Sequence, residues 1–175
     1  MTLEAERRAI EATLDDYRSR LDAITDEQFD VTPATGGWSY AEVYSHIMQA
    51  TLGSTIALEK CTSSACLPTT KGRNLVGRLV FTINSIPIRI KMTPMMAQKN
   101  PPKKINKEEA RNLMVKCRKR INEVFTLIHD SNPHKRIKHP RFGLLNARQW
   151  FKFILIHLNH HVKQLNRIEK NLRAA

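Results

Sequence analysis

Three of the seven histidines lie within five positions near the end of the chain, at His157, His160 and His161. His157 and His161 are four residues apart, and side chains with that spacing on a helix point the same way, with Cβ atoms roughly 5–6 Å apart. Two imidazoles so placed can share one cation, as they do in zincin helices. His160 lies about 100° from His161 and about 60° from His157 around the helix axis. The spacing therefore predicts a metal-binding pair with His160 outside it.

A third histidine is predicted to face the same interior. The sequence from Ser39 to Glu42 has the form of a capping box, which starts a helix. His46 lies on the inward stripe of that helix. Three neutral imidazoles from two helices would bind a divalent metal and leave a coordination position open, which is typical of catalytic sites. The metal would lower the pKa of a bound water or thiol and so supply a nucleophile.

The simpler interpretation is that these are core histidines, hydrogen-bonded to their neighbours. A HxxxH spacing alone is common in helices, and only the inward-facing His46 on a second helix favours a metal. Three histidines suit zinc, nickel, iron or copper almost equally.

Hydrophobic spacing predicts an all-α fold, a four-helix bundle with a long irregular crossover segment. A single domain is expected over residues 1–175, since this length suffices for one core. The four long helices are predicted at 3–24, from Ser39 to about Lys60, from an Asn106 cap to about His129, and from about Ala147 to Leu172. A short helix at 74–86 is predicted from the spacing of Leu75, Leu79, Ile83 and Ile86, and 130–145 is expected to be a loop.

The N-terminus is charged throughout and does not have the form of a signal peptide. The most apolar run, residues 75–90, contains Arg78 and Arg89, which argues against a membrane span. The three cysteines match no zinc or redox pattern and are expected to be free thiols. These features predict a cytoplasmic protein without a membrane partner.

Charge is distributed unevenly along the chain, whose formal net charge is +13. Residues 1–59 carry four Arg and eleven Asp or Glu, a net of −7, whereas residues 71–141 carry eighteen Lys or Arg and four Asp or Glu, a net of +14. Such a split indicates an acidic partner for the basic region, or a dipole along the molecule. No recognisable nucleic-acid motif accompanies the charge.

Two long stretches resemble the DinB/YfiT-like superfamily, and within it the bacillithiol-transferase-like branch. They are GGWSYAEVYSHIMQAT and HPRFGLLNARQWFKFILIHLNHHVKQLNRI. The features shared with that group are Trp38-Ser39, His46, the His139-Pro140-x-x-Gly143 loop and His157-x-x-His160-His161.

The resemblance implies a DinB-like four-helix bundle, often a homodimer, whose metal ligands are His46, His157 and His161. Zinc or nickel is the implied metal, with iron and manganese as alternatives. Members resembling this chain transfer a low-molecular-weight thiol, such as bacillithiol or glutathione, to an electrophile, and others use a thiol in isomerisation. The implied partners are a small-molecule thiol and its electrophile.

Several other residues have two interpretations. His139 either caps its loop or helps catalysis at the mouth of the site. Arg141 and Lys138 could bind the carboxylates of an anionic thiol, or form a solvated basic loop. Glu42 is either a general base or only a cap. Gln49 and Gln164 could accept a hydrogen bond from ligand imidazoles.

The three histidines predict a divalent-metal-dependent enzyme, and the resemblance implies a thiol S-transferase rather than a metal-dependent hydrolase. Two alternatives stay open. One is a non-catalytic metal- or ligand-binding bundle of the stress-response kind. The other is a nucleic-acid-associated protein that uses the basic region, whose affinity would fall steeply with salt.

Overall fold

The fold is known from a computed structural model that describes residues 1–34, 36–87 and 103–173. Within these residues four long helices form a bundle, with two shorter helices and a two-stranded sheet, so the predicted all-α bundle is confirmed with a small sheet added. None of these described helices combines the length and the apolarity required to cross a bilayer. The elements in chain order are α1 (Leu3–Ala23), α2 (Asp26–Phe29), α3 (Tyr40–Thr62), α4 (Leu75–Ile83), α5 (Lys107–Phe125), β1 (Arg136–His139), β2 (Gly143–Asn146) and α6 (Ala147–Arg173).

Side-chain caps start the helices where the sequence predicts them. Ser39 and Glu42 form a capping box at the start of α3, and Asn106 starts α5 in the same way. At the start of α6, Asn146 and Gln149 exchange reciprocal backbone-to-side-chain hydrogen bonds of 3.1 and 2.9 Å. Such caps satisfy N–H groups that otherwise have no partner in the helix. They also fix which residues of α3 and α6 face inward.

Two buried tyrosines connect three of the long helices. The Tyr17 hydroxyl donates to the Leu158 carbonyl oxygen at 2.9 Å, and the Tyr44 hydroxyl donates to the Tyr17 carbonyl oxygen at 2.8 Å. A buried hydroxyl without an acceptor would be costly, so both bonds restrain the helices they join. Leu158 directly follows His157, and these bonds therefore set the position of α6 against α1 and α3 beside the histidines.

A hairpin replaces the loop predicted at 130–145. Strands β1 and β2 pair antiparallel, with His139 opposite Gly143. Gly143 has φ +82°, and a Cβ there would lie 2.6 Å from the Asn74 backbone nitrogen. Each strand has only four residues. The hairpin depends on contacts with the 69–74 segment, such as Leu144 N–H to the Gly72 carbonyl oxygen at 3.1 Å, and local sequence patterns do not reveal such contacts.

The short helix predicted at 74–86 is present over Leu75–Ile83. Leu75, Leu79 and Ile83 are exposed, whereas the buried side of α4 is formed by Gly77, Val80 and Phe81. A Cβ on Gly77 would lie 2.3 Å from the Phe142 carbonyl oxygen, so the absent side chain allows α4 to pack directly on the hairpin. Its C-cap is Asn84 in the left-handed region. Of the predicted crossover, residues 88–102 lie outside the described residues.

Helix α5 ends earlier than predicted, at Phe125 rather than near His129. It carries much of the positive charge and pairs with acidic residues from the first third of the chain. Interhelical ion pairs join Arg111 to Asp22 at 2.9 Å and Arg120 to Glu59 at 2.8 Å. Further pairs are Arg118–Asp15, Lys107–Asp26 and Lys104–Asp30. The charge split seen in the sequence is therefore partly neutralised within the molecule.

Candidate metal centre

The three predicted ligands converge between α3 and α6. One ring nitrogen each from His46, His157 and His161 lie within 4.8 Å of one another. The Nε2 atoms of His157 and His161 are 3.1 Å apart. The His46 ring centroid lies 5.4 Å from that of His157 and 5.0 Å from that of His161. Among the described residues this is the group whose donor atoms could hold a metal ion.

The donor set fits a divalent ion. Two nitrogens 3.1 Å apart can both lie at the roughly 2.0–2.1 Å of a zinc–imidazole bond. Burial lowers the pKa of His46 to about 4 and that of His161 to about 3. Burial also lowers the pKa of His157 well below its ordinary value. All three rings are therefore neutral at pH 7 and offer lone pairs rather than charge.

A hydrogen bond from His157 to His161 is the simpler account of the short nitrogen contact. It would explain one pair but leave the third imidazole, His46, directed at the same point. A shared cation would account for all three nitrogens at once.

Gln164 fixes the tautomer of His161. Its Oε1 lies 2.8 Å from the Nδ1 atom of His161, so Nδ1 carries the proton and the Nε2 lone pair faces the other two histidines. Metal-binding histidines usually have such an outer acceptor. Gln49, the other glutamine considered for this role, instead donates its amide to Ser45 Oγ at 3.1 Å.

We expect Gln164→Leu to weaken metal binding about 10–100-fold, the usual effect of removing an outer partner of a ligand histidine. The measurement is a competition titration of zinc against a chromophoric chelator. Gln49→Leu is the matched control, because it removes a glutamine of α3 whose amide donates to Ser45 Oγ. Equal affinities for the two variants would show that Gln164 does not act on the metal centre.

Aromatic side chains support two of the three rings. The Trp38 ring contacts His46 edge-on with centroids 5.0 Å apart. The Phe153 ring is stacked on His157 at 5.2 Å with an interplanar angle of 22°. Both side chains restrict the rotation of a histidine ring and exclude water from one side of it.

The family of the chain follows from a match that extends over nearly all of it. The family model of the DinB superfamily matches residues 9–165. The chain belongs to the DinB superfamily. This confirms the resemblance seen in the sequence, while the bacillithiol-transferase-like branch stays a prediction. A search of curated proteins gave no match.

Solved structures share the DinB fold at low sequence identity. YfiT from Bacillus subtilis, described as a probable metal-dependent hydrolase with an unusual four-helix bundle topology, matches with a TM-score of 0.65 and 13% identity over 97% of this chain and 87% of its own. TT2238, a four-helix bundle protein, matches with a TM-score of 0.61 and 17% identity over 95% and 99%. A histidine-to-alanine mutant of the mycothiol-dependent maleylpyruvate isomerase matches with a TM-score of 0.59 and 8% identity, over 90% of this chain and 58% of its own. At these identities the likeness concerns the fold.

His46, His157 and His161 are called the triad below. His160 lies beside the triad but outside it, as its angular position on the helix predicted. Its ring is perpendicular to that of His161 at 5.1 Å. It also hydrogen-bonds the backbone of Ile86. His160 therefore connects α6 to the segment that follows α4.

Glu42 acts as a cap. Its Oε2 accepts the Ser39 backbone N–H at 2.8 Å and lies 3.1 Å from Ser39 Oγ. The carboxylate is held at the first turn of α3 rather than directed toward His46. The capping interpretation of Glu42 is therefore the one that the contacts support.

His139 caps the hairpin turn and lies outside the triad. Its Nδ1 accepts the backbone N–H groups of Arg141 and Phe142 at 3.1 and 3.3 Å. The Phe153 ring contacts both His139, at 4.6 Å between centroids, and His157, so it lies between these two histidines. The role of His139 as a helper in catalysis stays a prediction. Lys138 is an exposed residue of β1, and neither it nor Arg141 belongs to the triad. Their binding of a thiol also stays a prediction.

We expect His139 to destabilise the protein at acid pH. Burial, assisted by the charge of Arg141, lowers the pKa of His139 to about 4. The unfolded state, with a histidine pKa of about 6.5, therefore binds the proton first, and stability is lost as the pH falls from about 6.5 toward 4. At pH 5 the loss from this residue is about 2 kcal/mol relative to neutral pH.

Urea unfolding of the wild type and His139→Asn at pH 7.5 and 5.0, with chelator present, measures this effect. Asparagine can still accept a backbone N–H but does not titrate. The wild type should therefore lose more stability than the variant on acidification. Parallel losses in the two proteins would exclude His139 as the titrating group.

Proposed function

We propose that this DinB protein is a divalent-metal-dependent enzyme that transfers a low-molecular-weight thiol to an electrophile. The observation that carries the proposal is the convergence of three neutral imidazoles from two helices. Zinc or nickel is the proposed metal, with iron and manganese as alternatives. A metal-dependent hydrolase is the second candidate, and the printed description of YfiT supports it.

The residues of the site have distinct tasks in this proposal. His46, His157 and His161 would hold the metal, which when bound would lower the pKa of a coordinated thiol or water. Gln164 keeps the Nε2 lone pair of His161 available. Trp38 and Phe153 maintain the orientation of two ligand rings, so little reorganisation is needed when substrate arrives.

Among the residues that the structure describes, no carboxylate joins the three histidines, and this favours thiol transfer over hydrolysis. Hydrolytic zinc sites commonly add a glutamate that takes the proton of the bound water. The metal-capable group in the described residues consists of histidines only, and the Glu42 carboxylate is engaged at its cap. A thiol has a lower pKa than water and ionises at a metal without further help. The mycothiol dependence stated for one structural neighbour is consistent with a thiol substrate.

We propose further that the thiol is an anionic one, such as bacillithiol or glutathione. Lys138 and Arg141, on and beside the hairpin, would attract its carboxylates. The cytoplasm is the proposed location because reduced small thiols are maintained there. A homodimer is the proposed assembly, and light scattering after size-exclusion chromatography measures it.

Initial rates with a chlorodinitrobenzene electrophile test the function. Chelator-treated protein is reconstituted with zinc or nickel and assayed with glutathione, with bacillithiol or with water alone. We expect thiol conjugation that requires metal and is lost in His161→Asn, while His134→Ala, an exposed histidine of the turn before β1, retains it. Turnover without thiol would indicate the hydrolase. Metal binding without any turnover would indicate the non-catalytic bundle.

A further inference from the structure

Some basic residues of the chain form ion pairs with acidic side chains, whereas others do not. Four of the bases of α5 pair with acidic side chains: Lys107, Arg111, Arg118 and Arg120. No acidic residue occurs between Glu59 and Glu108. Among the described residues, Lys71, Arg78 and Lys138 form no ion pair, and Lys135 donates to the Ser63 carbonyl oxygen, which carries no net charge. A second cluster of bases is therefore left without counter-charges.

The fold brings these bases to one end of the molecule. Isolated bridges join Pro68 to Lys135 and Arg73 to Gly143. The Asn74 N–H donates to the Phe142 carbonyl oxygen at 3.1 Å. Residues 67–83 and 134–144 thus form one continuous surface, which we call the basic end.

An apolar stripe crosses the basic end on α4. With about 100° per residue, Leu75, Val76, Leu79 and Ile83 occupy an arc of about 100°. Their exposed fractions are 81%, 52%, 54% and 45%. Single exposed apolar residues are ordinary, but a contiguous group marks a contact surface. The opposite side of α4 is buried against the hairpin, so this stripe faces away from the described part of the protein.

Arg78 borders the apolar stripe on α4, and Lys71 and Arg73 precede the helix. The Arg73 guanidinium lies over the Phe81 ring at 5.0 Å, which holds its charge close to α4. An exposed apolar stripe bordered by bases is the arrangement found in helices that lie in a membrane interface.

We propose that the stripe of α4 docks on an anionic lipid surface. The apolar side chains would enter the boundary between head groups and acyl chains, and the bases would contact lipid phosphates. A nucleic acid would satisfy the bases but would leave four apolar side chains in water. The charge complementarity and the apolar stripe together therefore select a membrane surface. The inference goes beyond the proposed function and does not depend on the metal.

The prediction of no membrane partner rested on the absence of a spanning segment. A surface contact does not need one, because a single helix with an apolar face can lie in the plane of the interface. The spacing of these residues predicted a helix but could not show whether its apolar face is buried or exposed.

Vesicle flotation tests the proposal with full-length protein, both metal-loaded and chelator-treated. Vesicles of phosphatidylcholine alone are compared with vesicles containing about 30% phosphatidylglycerol, a content that gives a negative surface potential. We expect binding to the anionic vesicles only, weakened by salt. Leu75→Ser/Leu79→Ser and Lys71→Glu/Arg78→Glu should each lower the affinity about tenfold or more.

Val115→Ser and Lys119→Glu are the matched controls, because both residues are exposed on α5. They should bind like the wild type. Since the changed residues of α4 are exposed, the circular dichroism and melting temperature of these variants should match the wild type.

Three outcomes would overturn the proposal. The first is no binding to anionic vesicles at about 50 mM salt, where surface charges are weakly screened. The second is vesicle or duplex DNA binding that the leucine variants leave unchanged, since charge alone would then be responsible. The third is a change of oligomeric state in the leucine variants, which would assign the stripe to a second copy of the chain.

Discussion

Replacing His161 with asparagine is expected to weaken divalent-metal binding by about 10²–10³-fold, because one ligand of a multidentate site contributes several kcal/mol to binding. His161 is the most informative ligand. Its Nε2 faces His157 at 3.1 Å and its Nδ1 is engaged by Gln164. Asparagine is small enough for the space and polar enough to retain a contact with Gln164. The metal-free variant should therefore remain folded.

Competition against a chelator of known affinity measures this effect, with circular dichroism as the check on folding. His134→Asn is the control, since it changes an exposed histidine with the same chemistry. The account is wrong about the ligands if His161→Asn retains wild-type affinity. It is also wrong if the two variants lose metal equally, because binding would then occur at surface imidazoles.

Removal of the metal is expected to lower the melting temperature by about 8–16 °C. A ligand at about 1,000 times its Kd stabilises the folded state by about 4 kcal/mol, and each kcal/mol shifts the melting temperature of a protein of this size by about 2–4 °C. The physical reason is that α3 and α6 provide the ligands from different parts of the chain. The metal therefore binds the folded state in preference to the unfolded one.

Differential scanning calorimetry with and without chelator measures the shift. The triple variant with alanine at His46, His157 and His161 should melt at one temperature in both conditions. A wild-type melting curve that is unchanged by chelator and by added zinc or nickel would show that the metal does not stabilise the folded state.

The helices and their starts could be predicted because their signals are local. The caps at Ser39 and Asn146 determine the register of α3 and α6, and that register makes His46, His157 and His161 face inward. The outer acceptor Gln164 could be found in the same way, since it lies three residues after His161 on the same helix. Helical spacing thus predicted that these three imidazoles face one interior, and their role as metal ligands, which the family resemblance implies, stays a prediction.

Features that depend on distant contacts could not be predicted. The orientation of α4 follows from Gly77 meeting the Phe142 carbonyl oxygen, a contact between segments far apart in sequence. The hairpin depends on the 69–74 segment in the same way. The contact between the Trp38 and His46 rings could not be predicted either, because Trp38 lies in the loop before α3 and helical spacing does not fix its position.

The ion pairs of the basic residues also depend on contacts between distant parts of the chain. Composition indicates that the first third of the chain is acidic and the middle basic, but not which bases find partners. Only the packing of α5 beside α1 shows that Arg111 and Arg118 are paired. Lys71, Arg78 and Lys138, which form no ion pair among the described residues, lie together in the basic end.

Elemental analysis of untagged protein, beside the triple histidine-to-alanine variant, tests the central claim most directly. Because three imidazole nitrogens lie close to one point, we expect about one equivalent of a divalent transition metal per chain in the wild type and none in the variant. A wild-type protein that contains no metal after purification, and takes up none when incubated with zinc or nickel, would contradict it.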